Sequence, residues 1–154
     1  MKILKGISFC IALSLIIVSC NDIKDCQLVD DTNFVVIALF DQDTTSQTES
    51  LDFTGITMEG LSIPILNSDT TLSVFALPIN TLDSVATFYF ESELGMDTMV
   101  VSYDNQYYIF FEECDPAQSF FNLEVISHTF DFVNVINSDL NDEIVRNIEI
   151  FLED

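Results

Sequence analysis

Apolar and polar residues alternate in short runs along most of this chain. From residue 33 onward no apolar period of 3.6 residues is sustained over a helix-length window. Candidate strands cover 33–40, 51–58, 72–79, 87–91, 98–103, 107–112, 121–137 and 147–152. They are separated by turn-forming stretches at 41–49, Asn67-Ser68-Asp69, 92–96 and Asp104-Asn105-Gln106. Phe88 and Phe90 alternate with Thr87, Tyr89 and Glu91, while Ile148, Ile150 and Leu152 alternate with Asn147, Glu149 and Glu153, so each run has one dry and one wet face. Between Phe53 and Ile56 the apolar phase slips at Gly55, which predicts a β-bulge. A second slip, between Val125 and Ile126, predicts that the long run 121–137 bends or crosses between sheets. Thr98 to Tyr103 and Tyr107 to Glu112 read as arms of a hairpin around Asp104-Asn105-Gln106, the strongest local pairing signal. A turn or two of helix is entertained only near 140–145. The pattern predicts an all-β, antiparallel sandwich of about eight strands, with a barrel-like closure as the alternative.

The first 20 residues are different. Lys2 and Lys5 precede an apolar run from Ile7 to Val18, followed by Ser19-Cys20. A positive flank, a short apolar stretch and a small residue before a cleavage point describe a secretory signal. The run is about a dozen residues, shorter than the roughly 20 of a comfortable membrane-spanning helix. Ile17-Val18-Ser19-Cys20 resembles the lipobox of bacterial lipoproteins, which implies cleavage after Ser19 and acylation of Cys20. The organisation read from the sequence is a signal peptide at 1–19, a lipidated tether at 20–25 and a single domain at 26–154. A plain secretory signal with Cys20 as a free thiol is the simpler alternative. Asn21-Asp22-Ile23-Lys24-Asp25 contains a Lys-Asp fragment similar to lipoprotein surface-export signals, so the expected location is the cell envelope at the outer membrane, with its face left open.

Charge narrows the partners. All 26 acidic residues follow Cys20, but only Lys24 and Arg146 remain on the basic side, a formal charge of −24 for the chain after the signal. No basic patch can be assembled from two side chains, which excludes nucleic acid. The acids are spread along the chain, as expected of a solvated surface that repels its own copies. Of four cysteines, Cys10 leaves with the signal and Cys20 carries lipid. Cys26 and Cys114 are then an even pair in a chain that matures in an oxidising compartment, which predicts a disulfide between them. Closing a loop of 88 residues is worth on the order of 4 kcal/mol, less any strain. A zinc site is the weaker reading, because two cysteines and one distant histidine fall short of four ligands.

The lipobox at Cys20, then Cys26, Phe40-Asp41, Leu77-Pro78, Asp97-Thr98 before a strand ending in Tyr103, Cys114 and the closing Asn147-Ile148-Glu149-Ile150-Phe151 together resemble a family of small Bacteroidota lipoproteins catalogued only as a domain of unknown function. The chain departs from that family's pattern in two places. Cys114 is followed by Asp115-Pro116 where Cys-Gly is usual, and Glu149 stands where a lysine is common. The resemblance implies the envelope address, the β fold and the cysteine pair. It implies no catalytic set.

Candidate chemistry is sparse. His128, the single histidine, falls in phase with Ile126, Phe130 and Phe132 and reads as a satisfied core or edge residue rather than a general base. No hydroxyl sits in a nucleophile-elbow pattern. Carboxylate pairs are numerous, but a glycosidase cleft usually needs aromatic platforms and the chain has no tryptophan. The run from Asp41 to Asp52 places oxygens somewhat as an EF-hand does, with Asp41, Asp43 and Glu49 as the first candidates for Ca²⁺. It lacks the sixth-position glycine, ends in Asp and is flanked by strands, so an acidic inter-strand loop is the better account. The fourteen Phe and four Tyr are mostly core, with 73–77 and 107–111 apolar on both sides, as in central strands or an exposed patch. The expected function is non-catalytic: a lipid-anchored envelope protein, without cofactor, that binds or assembles with another envelope protein. The alternatives are a small envelope hydrolase using His128 or a carboxylate pair, a Ca²⁺-binding module, and a cup for a small apolar molecule.

Overall fold

The computed structural model describes residues 34–43, 48–109, 116–140 and 145–153. Cys20, Cys26 and Cys114 lie outside the described residues, as do 44–47 of the acidic loop and 141–144 of the suggested helical turn. No helix occurs among the described residues.

Among the described residues nine strands form two open sheets: β1 (Phe34–Asp41), β2 (Leu51–Met58), β3 (Thr70–Leu72), β4 (Val74–Pro78), β5 (Val85–Ser92), β6 (Gly95–Tyr108), β7 (Ala117–His128), β8 (Phe132–Val135) and β9 (Ile148–Leu152). The four-stranded sheet has the order β4-β1-β9-β8, and the five-stranded sheet β3-β2-β5-β6-β7. Neither sheet closes on itself, so the architecture is the sandwich and not the barrel. One pairing departs from the antiparallel expectation. β1 and β9 run parallel, with Ile37 opposite Ile148 and Asp41 opposite Leu152.

Period-two alternation places the core as expected. Val35, Ile37, Leu39, Leu77, Ile148 and Ile150 from the first sheet meet Phe53, Ile56, Phe88, Phe90, Met99 and Val101 from the second. The pairing of β2 with β5 shifts register between Phe53 and Gly55. That bulge returns Ile56 and Met58 to the inner face. At Gly55 a Cβ would stand 3.2 Å from the exposed Glu91 carboxylate, which would have to give by a few tenths of an ångström. The run 121–137 divides as its phase slip predicts: β7 belongs to the larger sheet and β8 to the smaller.

Three expectations are corrected. The run 72–79 is two strands, β3 and β4, in different sheets, with the change of sheet at Ser73. Asp104-Asn105-Gln106 is not a turn. β6 continues through it, pairing Asp104 with Phe121, Asn105 with Phe120 and Gln106 with Ser119. The tight hairpin lies instead inside the predicted turn 92–96, where Ser92 pairs with Gly95 across Glu93-Leu94. The Ser92 hydroxyl accepts from the Leu94 N–H at 3.2 Å, and Gly95 takes a φ of 136°, open to a residue without a side chain. Finally, Asn147 is not on a wet face. It is 3 % exposed.

Candidate functional site

One end of the sandwich gathers several connections. β1 begins there, with Phe34 opposite Pro78 at the end of β4. The segment 79–84 then turns into β5. Its shape is set by Asn80, whose side-chain oxygen accepts from the Leu82 N–H at 3.0 Å and whose amide donates to the Asp83 carboxylate at 2.8 Å. This Asx turn satisfies local polar groups and lifts Leu82 to the tip, where it is 89 % exposed.

The loop is moored from below. The buried Tyr103 hydroxyl donates to the Asn80 carbonyl at 2.7 Å, and the Tyr103 N–H donates to the Ser84 carbonyl at 3.0 Å. The Gln118 amide of β7 donates to the Thr81 carbonyl at 3.0 Å. Beside the loop, Met58, Glu59 and Gly60 at the end of β2 share a recess of about 360 Å³ with Asn80, Asp83 and Val85. From Gly60 the chain folds back along β2, with the Ile65 N–H donating to the Ile56 carbonyl at 2.8 Å, which leaves Leu61 and Ile63 exposed at a second tip. The overhanging arms of β6 and β7 add a third edge, with Tyr107 opposite Gln118.

Burial raises the Tyr103 hydroxyl above its ordinary pKa of 10.0, and the Asp83 charge adds to the shift. A tyrosine whose folded-state pKa is raised binds its proton more tightly folded than unfolded. Stability is therefore steady below about pH 10 and falls above it. In Tyr103→Phe this alkaline fall should flatten, at a cost near neutrality of about 1 kcal/mol for the lost hydrogen bond. Urea unfolding at neutral and alkaline pH measures both.

The residues singled out from the sequence do not converge. His128 ends β7, at the edge of the larger sheet, with Nδ1 3.0 Å from the Phe130 carbonyl. It is an edge histidine, exposed and held by backbone. The register shift of β7 against β6 leaves Ile126 as the extra residue and sets His128 opposite the buried Met99, so its exposure comes from its place at the end of an edge strand. Asp43 donates its N–H to the Asp41 carboxylate at 2.7 Å, an Asx turn, and the Glu49 N–H donates to the Leu39 carbonyl at 3.0 Å. Among the described residues no group of three or more His, Cys, Asp or Glu side chains is placed to hold a metal ion. Arg146 lies on the outer face of the smaller sheet, its guanidinium 4.9 Å from the centre of the Phe40 ring and 3.1 Å from the Glu149 carboxylate.

Residues 50–152 match a family of unknown function, DUF6452. The chain belongs to that family. The DUF6452 match spans β2 to β9 and includes the Asn80 turn, Tyr103 and Gln118, so the moored end of the sandwich lies within it. No curated protein and no solved structure matches the chain. The end of the sandwich was not singled out from the sequence. Its signal is the lone apolar residue at the centre of Asn80-Thr81-Leu82-Asp83-Ser84, a polar turn that gains nothing locally from a leucine at its tip.

Proposed function

We propose that this DUF6452 protein is a non-catalytic lipoprotein of the bacterial cell envelope, of the Bacteroidota type its sequence resembles. In this reading Cys20 anchors it at the outer membrane, and it acts by binding or assembly with another envelope component. The observation that carries this is the order of Lys2 and Lys5, the apolar run and Ile17-Val18-Ser19-Cys20. Two or three acyl chains, at about 0.8 kcal/mol per buried methylene, hold a protein at a bilayer almost permanently. Metabolic labelling with a palmitate analogue should mark the wild type and be lost in Cys20→Ala. Labelling unchanged by that substitution rejects the anchor. Crosslinking in whole cells then identifies the neighbour.

The same reading includes a disulfide between Cys26 and Cys114. The described residues nearest to these cysteines are grouped at one end of the fold: Phe34 pairs with Pro78, and Gln118 is bonded to Thr81, three residues beyond Pro78. Alkylation of the exported protein should modify both thiols only after reduction. Cys114→Ser should lower stability by about 2 to 4 kcal/mol. Free thiols in the unreduced protein would reject the bond.

A further inference from the structure

We draw no further inference here: the strongest candidate, the outer edge of β4 at the border of the smaller sheet, where Val74 is exposed and residues 70–82 carry no charge, carries nothing because nothing in the structure shows what covers it.

Discussion

Asn147→Ala is expected to lower the stability of the domain by about 3 to 5 kcal/mol, because it removes side-chain bonds that no neighbour replaces. The Asn147 side-chain oxygen accepts from the Val36 N–H at 3.0 Å. Its amide donates to the carbonyls of Asn137 at 3.2 Å and Asp139 at 3.1 Å. Its backbone N–H donates to the Val36 carbonyl at 2.8 Å, and its own carbonyl accepts from Ile136 at 2.9 Å. One buried residue thus fastens β1 to the stretch that leaves β8, immediately before β9 begins. Truncation leaves the buried Val36 N–H unsatisfied, at about 1 to 3 kcal/mol, and removes the donor from two part-buried carbonyls. Urea unfolding should show a lower midpoint with an unchanged slope.

Asn147→Asp sharpens the test, since it keeps the shape and the acceptor for Val36 but sets a carboxylate against two carbonyls. Burial and those carbonyls favour the protonated acid, which can donate to one of them. The folded-state pKa is therefore raised, and the variant should recover stability as pH falls toward that pKa. A variant equally unstable at all pH values would show that the loss comes from altered packing instead.

Phe90→Ala should cost a similar amount, about 3 to 5 kcal/mol, by a different route. Phe90 is 1 % exposed, and its ring centre lies 6.2 Å from that of Phe53, 6.4 Å from Phe75, 6.4 Å from Phe88 and 5.3 Å from Phe130. Phe53 and Phe88 belong to its own sheet, Phe75 comes from the facing sheet, and Phe130 lies in the crossing from β7 to β8. The edge-to-face contact with Phe130 adds about 0.5 to 1.5 kcal/mol beyond the area buried. Phe132→Ala is the comparison. Phe132 is 52 % exposed on the outer face and touches Phe151 at 5.4 Å, so its loss should cost no more than about 1 kcal/mol. Amide exchange in Phe90→Ala should rise first around residues 128–132, because Phe130 loses the ring that holds the crossing against the core. Comparable losses for the two substitutions would contradict the placement of the core.

Much of the fold can be read from short windows, and the reason is local. Alternation in Thr87 to Glu91 marks a buried face because the pleat has a period of two whatever the strand pairs with. Gly55 and the phase slip near Ile126 were visible because a bulge shifts that same alternation. The polar triplet Asp104-Asn105-Gln106 misleads for a related reason. It lies where β6 overhangs the sandwich, so its side chains are solvated on both faces and carry turn chemistry without making a turn. The Asp104 carboxylate instead accepts from the Asn122 amide at 2.8 Å, across a second irregularity of β7 where Asn122 takes a φ of 55°. The moored end of the sandwich is legible only after the fact, since Leu82 is an unremarkable residue until its turn is seen moored to Tyr103 and Gln118.

From the chain alone come the strand content, the buried alternation of β5 and β9, the bulge at Gly55 and the crossing after β7. Each depends on neighbours within a few residues. Tertiary structure alone decided that β9 lies parallel to β1, that the run at 72–79 divides between two sheets and that Asn147 is buried. The parallel pair joins Ile37 to Ile148, and Asn147 is satisfied by Val36, 111 positions away in sequence. A polar side chain is wet or dry according to whether distant backbone groups arrive to bond it. That outcome depends on the assembled sandwich, and no local periodicity encodes it.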